Sequence, residues 1–479
     1  MTFVLGLSFW TAYLVLSMAA VALALWRRRG FAGTLAWVLA IAALPVVGAL
    51  GYLMLGNPHV RRTKRRRLAA LERVRRAIQP CNDPLVRDLA ALQPHARSLV
   101  KLASRLTGLE PTCGNHLELL LENARAFSRK EEAILGAKQS IWAEYYIIKN
   151  DDTGRRFLDL LIARAREGLD VRLLYDAVGA FGIDASRVAA LQAAGGEVAE
   201  FLPVNPCRRR WATHLRNHRK ILVVDGEIAF LGGMNVGDEY SGKGLWRARL
   251  PWRDTHLRLR GPAAHELAAI FDEDWCFTTD ESLPLPARPE ASAFSFGDST
   301  VALLPSGPDQ EVNATSAVYF SAIATAASRC YVESPYFIPD EPTLRALTNA
   351  ALRDVDVRII VPSRSDIPLM IPAIRSYYPA LLKAGVRLFE YQPTMLHAKT
   401  MVVDGLVALV GSANLDVRSF GLNFEASALM VDPGFASALE TQFFADAASS
   451  REITTEWLES RGFLTALGEG AAQLLSPLL

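Results

Sequence analysis

Uncharged positions open the chain in two long blocks. From Phe3 to Leu25 there are 23 residues without a charge, and after Trp26 and Arg27-Arg28-Arg29 a second uncharged block runs 25 residues, from Phe31 to Leu55. At about 1.5 Å per helical residue, either block covers a hydrocarbon core of about 30 Å with some tilt. The pattern predicts a transmembrane helical hairpin over residues 1–57. The first block lacks a basic leader and exceeds the usual apolar length of a cleaved signal peptide.

Beyond residue 130 the pattern changes to short apolar runs of strand character alternating with helical periodicity. It does so twice. The first round offers a strand over Ser140-Ile-Trp-Ala-Glu144, a helix near Arg156 to Gly168, a strand Val171 to Asp176 and another from Glu197 to Leu202. The second offers strands from Cys330, over Val357 to Val361 and over Val386 to Tyr391, with helices across Leu344 to Leu352 and around Ile374 to Lys383. Such alternation predicts an α/β architecture with a largely parallel sheet. Two rounds predict two similar domains, over 131–277 and 301–479. Residues 58–130 are expected as a basic juxtamembrane and linker region, and the Pro- and Ser-containing stretch 278–300 as the linker between the domains.

Charge changes the picture in one place. The net charge is +2, yet between Arg61 and Arg76 nine Lys or Arg residues face one acid, Glu72. The rest of the chain is therefore net acidic. A basic cluster directly after an apolar hairpin places that end on the cytoplasmic side and attracts anionic headgroups. It does not suit a nucleic-acid groove, because it adjoins the hairpin and not the repeated domains; no nucleic-acid partner is expected. The five scattered cysteines form no C-x-x-C pair, which fits a reducing compartment for the body.

Each round ends in the same block, H-x-K-x4-D, then a glycine step and an asparagine. The first copy comprises His218, Lys220, Asp225, Gly232, Gly233 and Asn235; the second comprises His397, Lys399, Asp404, Gly411, Ser412 and Asn414. All six pairs are separated by 179 positions, whereas Glu144 and Glu333 outside the block are offset by 189. One such block would mean little, but a repeat with fixed internal spacing defeats chance. Alternation puts each His and its Lys on one face of a strand. Asp-Gly then turns the chain, the following strand returns, and Gly232 or Gly411 would let the backbone approach a ligand.

These residue types suit phosphodiester chemistry. One imidazole can attack phosphorus while the other serves as acid and base. The lysines and asparagines can hold non-bridging oxygens as charge builds. Asp225 and Asp404 have two open roles, as turn formers or as electrostatic partners of the site. A His-x-Lys pair makes a poor metal site because an ammonium cannot ligate, so no metal and no cofactor are expected.

The twin His-Lys-Asp motifs resemble the phospholipase D superfamily. The similarity to bacterial cardiolipin synthases covers nearly the whole chain, through Arg216-Asn-His-Arg-Lys-Ile221, Gly232-Gly-Met-Asn235, Trp252-Arg-Asp-Thr-His256, Pro335-Tyr-Phe-Ile-Pro339, Leu396-His-Ala-Lys-Thr400 and Arg418-Ser-Phe-Gly-Leu-Asn-Phe-Glu425. The resemblance implies two phospholipase D-like α/β domains forming one pseudo-twofold active site. It implies a catalytic set of His218, Lys220, Asp225, His397, Lys399 and Asp404. Asn235 and Asn414 would bind phosphate, and Asp254 and Glu425 would orient the imidazoles. One histidine would be the nucleophile, with His218 preferred. The implied reaction passes a phosphatidyl group from one phosphatidylglycerol to another, giving cardiolipin and glycerol. Hydrolysis, or transfer to a different alcohol, is the alternative. The implied partners are phosphatidylglycerol and other anionic phospholipids in the bacterial inner membrane, with the catalytic body in the cytoplasm.

Overall fold

The computed structural model describes residues 2–26, 31–55, 92–205, 214–241, 250–286 and 297–475. The basic run 61–76, the arginines at 27–29 and much of the expected interdomain linker (287–296) lie outside the described residues.

The apolar N-terminal segment forms a unit of its own. Its helices are Thr2–Trp26, Phe31–Ala43 and Pro45–Leu55. The second uncharged block was expected as one crossing helix and is instead broken at Leu44, because Pro45 has no N–H with which to continue the ladder. Within the unit, Ala20, Ala24, Ile41, Ala49 and Tyr52 are buried together, and Trp37 meets Tyr52 edge-on at 5.4 Å. Among the described residues no helix is long and apolar enough to cross a membrane. Where two helices were expected over 1–57, the described residues form three that pack on one another.

The body is built on one 16-stranded sheet. In chain order its first half holds β1 (Thr112–Leu120), β2 (Ser140–Tyr145), β3 (Asp170–Asp176), β4 (Glu197–Phe201), β5 (Arg216–Asn217), β6 (Lys220–Val224), β7 (Ile228–Gly232) and β8 (His256–Arg260). The second half holds β9 (Ser299–Ser306), β10 (Arg329–Glu333), β12 (Asp356–Pro362), β13 (Arg387–Tyr391), β14 (Thr400–Val403), β15 (Val407–Gly411), β17 (Asn423–Val431) and β18 (Ser450–Ile453). A separate two-stranded pair joins β11 (Phe337–Ile338) to β16 (Leu415–Asp416).

The strand order shows the repeat directly. Outward from the central β1–β9 pair, one half runs β8, β7, β6, β2, β3, β4 and the other β17, β15, β14, β10, β12, β13, with β18 added at the far edge. Matching strands fall at matching places, so the two domains are related by a pseudo-twofold through that pair. The expected largely parallel sheet needs correction. Along the main strand order, β2–β3–β4 and β10–β12–β13 pair in parallel while the inner ladders are antiparallel, and the short β5 adds a parallel pairing to β17. The cause is local. Each Asp-Gly step turns the chain straight back on itself, and a hairpin can only pair antiparallel.

The stretch 58–130 is also more than a linker. Helix Pro94–Thr107 places Leu99, Val100 and Ala103 in the core of the second domain, while β1 supplies the middle of the sheet. Asn115 helps fix that junction. Its buried amide donates to the carbonyls of Thr112 and Ser299 and accepts from the Ala263 N–H at 2.9 Å.

Candidate active site

His218 lies between β5 and β6, and His397 just before β14. Both strands begin at the lysine of the motif or one residue beyond it, so the two histidines stand at one end of the sheet. Backbone contacts across the pseudo-twofold fix them there. The His218 N–H donates to the Phe424 carbonyl at 2.8 Å, and the His397 N–H to the Arg253 carbonyl at 2.7 Å. Each histidine segment thus docks on the backbone of the opposite domain, His218 on β17 and His397 on Arg253 ahead of β8.

The carboxylates follow the same crossing. Nδ1–H of His218 donates to Glu425, with both oxygens 3.0 Å away, and Nδ1–H of His397 donates to Asp254 Oδ2 at 2.7 Å. Glu425 belongs to the second domain and Asp254 to the first. Occupying Nδ1 in this way leaves Nε2 with its lone pair. Both carboxylates are buried and individually held. Glu425 accepts from Ser412 Oγ at 2.5 Å and Asn423 Nδ2 at 3.3 Å; Asp254 accepts from the Thr255 N–H at 2.7 Å.

The glycine step acquires a different meaning. A Cβ at Gly232 would fall 2.5 Å from His256 Nδ1, and one at Gly411 would fall 2.2 Å from Ser427 Oγ. These glycines therefore admit the neighbouring strand, β8 or β17, and the expected close approach to a ligand is corrected. The next position differs between the copies. A Cβ on Gly233 would strike Asp254 Oδ1 at 2.4 Å, whereas Ser412 at the matching place reaches Glu425 with its hydroxyl.

Lys220 and Lys399 complete the centre. Each ammonium donates to the carbonyl of its own histidine, at 2.7 and 2.6 Å. Lys399 Nζ also lies 3.0 and 3.2 Å from the two ring nitrogens of His397, and Lys220 Nζ sits over the Tyr146 ring. Burial pushes His218 down to about 4; Glu425 opposes this and Lys220 adds to it. His397 is likewise pushed down to about 4 by burial and then Lys399, with Asp254 opposing. Burial lowers Lys399 to about 8 and Lys220 well below its ordinary value. For Glu425 burial acts upward, but His218, Lys220 and Ser412 outweigh it and hold the carboxyl low. These surroundings favour neutral imidazoles, and a phosphodiester anion between the rings would favour a proton on one of them.

Both asparagines of the motif line the same cleft, which has a volume of about 580 Å³ and includes His218 and His397. Asn235 Nδ2 donates to the Tyr240 hydroxyl at 3.0 Å, and Asn414 keeps a buried Oδ1 without a hydrogen-bond partner among the described residues. Four aromatic side chains that the motif search passed over frame the histidines. Tyr146 packs edge-on against His218 at 4.9 Å; Tyr240, Trp252 and Tyr336 surround His397 at 5.4 to 6.4 Å. Trp252 and Tyr336 stand inside segments that carry the family resemblance, a usable signal. Tyr146 follows β2 and Tyr240 follows Asn235 without a pattern of their own.

Asp225 and Asp404 do not join the site, which corrects their place in the expected catalytic set. They sit at the far ends of β6 and β14, where an extended strand carries them about 3.3 Å further per residue. Asp225 accepts from the N–H groups of Lys138, Gln139 and Ser140 at 2.8 to 2.9 Å. Asp404 does the same for Ala327, Ser328 and Arg329. Both adopt φ of 54°, a left-handed turn conformation that Asp tolerates better than Ala. Asp225→Ala is therefore expected to cost about 2–4 kcal/mol of stability, through lost charge-assisted bonds and the left-handed backbone. Melting temperature should fall, while turnover per folded molecule below the transition stays at the parent level. A large loss of turnover in a fully folded variant would restore the catalytic reading.

The geometry agrees with the comparisons. A family model described as Cardiolipin synthase, PLD-like domain matches residues 131–275 and 319–447, and one described as Phospholipase D-nuclease N-terminal matches 7–57. A cardiolipin synthase of Alkalihalophilus pseudofirmus is 38% identical over 449 residues, covering 93% of this chain and 89% of that protein. Cardiolipin synthase A of Pseudomonas fluorescens is 38% identical over 451 residues, covering 93% of each. A solved phosphatidylserine synthase from Haemophilus influenzae has the same fold, with a TM-score of 0.60 at 16% identity, covering 80% of this chain and all of that one. The identity over nearly the full length of both relatives and the doubled motif place this chain in the cardiolipin synthase family of phospholipase D-like phosphatidyltransferases.

Proposed function

We propose that the chain condenses two phosphatidylglycerol molecules into cardiolipin and glycerol through a phosphatidyl-histidine on His218, with His397 as acid and then base. One observation carries the reading: two imidazoles open on one cleft, each with Nδ1 held by a carboxylate from the opposite domain. That arrangement presents two Nε2 atoms to a single phosphorus.

His218 is assigned as nucleophile because both Glu425 oxygens lie 3.0 Å from its Nδ1, whereas the Lys399 ammonium crowds both ring nitrogens of His397 at 3.0 and 3.2 Å. In the first step Nε2 of His218 forms a bond to phosphorus. The P–O bond to headgroup glycerol breaks, and the His397 imidazolium protonates the leaving oxygen. In the second, neutral His397 takes the proton from the terminal hydroxyl of another phosphatidylglycerol. That oxygen attacks phosphorus, the P–N bond breaks, and cardiolipin leaves. Lys220, Lys399, Asn235 and Asn414 stabilise the charge on the non-bridging oxygens. Residues 1–57 anchor the body at the cytoplasmic membrane of a bacterium, where the anionic phospholipid substrates are concentrated.

The test is the purified chain with phosphatidylglycerol alone in the presence of a chelator. Cardiolipin and free glycerol are expected in equal amounts by mass spectrometry. Phosphatidic acid without cardiolipin would sink the transferase reading in favour of hydrolysis.

A further inference from the structure

The cleft is small for its cargo. About 580 Å³ suits a drug-sized ligand, so it can hold two headgroups but not the acyl chains of two phospholipids. Those chains have to stay outside, beside the mouth.

Large apolar side chains stand exposed around that mouth on four separate segments. Phe181 is 92% exposed, Leu250 62%, Leu369 45% and Val417 39%. Each is tied to the cleft by its neighbours. The Phe181 loop leaves β3 at Asp176, which accepts from the Asn217 N–H at 2.8 Å, and Gly179 packs so closely on Tyr146 that a Cβ would meet its ring at 2.5 Å. Leu250 accepts from Thr394 Oγ1 at 3.1 Å and stands two residues before the cleft-lining Trp252. Leu369 lies between Ile367 and Met370, and Val417 between Asp416 and Arg418, all four of which line the cleft.

Resting on the proposed lipid substrate, we propose that this rim is a bilayer-docking surface: Phe181, Leu250, Leu369 and Val417 insert among lipids, so that headgroups reach the histidines while acyl chains remain in the membrane. The occupant is a lipid surface because the cavity volume excludes the tails. The lining matches an interface as well, with Trp252 and Tyr336 as amphipathic rings and Arg418 as a cation for an anionic headgroup, while Lys149 is paired with Glu239 at 2.8 Å.

The experiment uses the full chain reconstituted in phosphatidylcholine vesicles, comparing the parent with a Phe181→Ser, Leu369→Ser double variant. Each is given either long-chain phosphatidylglycerol within the bilayer or water-soluble short-chain phosphatidylglycerol. The variant should lose about tenfold or more in rate on the bilayer substrate, because interfacial insertion scales with apolar area. On the soluble substrate it should stay within about twofold of the parent, since neither side chain lines the site. Equal loss on both substrates, or no loss on either, overturns the proposal. So does a change in oligomeric mass on substitution with bilayer turnover intact, which would mark the patch as a contact between copies. A parent chain that makes no cardiolipin-type product from either substrate removes the underlying reading itself.

Discussion

Alanine at His218 is expected to lower cardiolipin formation by about ten thousandfold and to abolish any covalent phosphatidyl adduct. Alanine at His397 should be comparably inactive on phosphatidylglycerol, yet for a different reason. Headgroup glycerol is a poor leaving group and needs the proton that His397 supplies, whereas His218 still has its lone pair and its Glu425 partner. A substrate whose leaving group needs no proton separates the two roles. With a phosphatidyl ester of p-nitrophenol, His397→Ala should release one equivalent of nitrophenol per active site and then stall as the phosphatidyl-histidine. His218→Ala should give no burst. A burst in His218→Ala and none in His397→Ala would exchange the roles. A burst in both would mean that either ring can attack.

Much of this site was legible before any coordinates, and the reason is the repeat. Two copies that keep the same 179-residue offset over six positions restrict each other, so chance matches drop out. The short strands of both halves were equally readable, because β2, β3, β10 and β12 are apolar runs between turn signals. The centre of the sheet was not. Residues Thr112–Leu120 contain Gly, Asn, His and Glu, and they become a strand because β8 and β9 flank them, which is a tertiary decision. Strand direction was hidden for a related reason. Helix–strand alternation announces parallel pairs, but the hairpins that follow each histidine insert between them and the middle.

The aspartates of the motif teach a sharper lesson. Asp225 and Asp404 hold the same spacing as the histidines, yet the constraint they answer to is backbone N–H groups at the far end of the strand. Fixed spacing identifies residues whose geometry matters and is silent on whether the geometry serves chemistry or folding. The exchange of carboxylates between the domains was hidden as well. Asp254 and Glu425 could be matched to a role through kinship, but only the docking of the His218 segment on β17, and of the His397 segment on Arg253, shows which imidazole each one holds.

That exchange gives the second large prediction, in which a substitution in one domain disables the histidine of the other. Glu425→Gln should behave as a His218 defect. Glutamine keeps the shape, and Ser412 Oγ can accept from the new amide while its own hydrogen turns to the Ala426 carbonyl, already 3.3 Å away. The fold is therefore expected to survive, with an unfolding transition close to the parent's. The chemistry is not. Without the carboxylate, burial and Lys220 act on His218 unopposed and drive it below about 4, and an amide donating to Nδ1 would leave the hydrogen on Nε2, where the lone pair must be. A loss of about a thousandfold to ten thousandfold in kcat follows by the logic of a wrong-tautomer histidine. Asp254→Asn should lose as much on phosphatidylglycerol but keep a burst with the activated ester, because its partner is the acid–base His397. Burst amplitude in the two variants decides the matter. If Asp254→Asn removes the burst and Glu425→Gln spares it, the cross-domain pairs seen here do not govern the reacting state. If both bursts persist with little loss of turnover, the carboxylates hold the rings in place without tuning them, and the difference in charge around His218 and His397 no longer assigns the nucleophile.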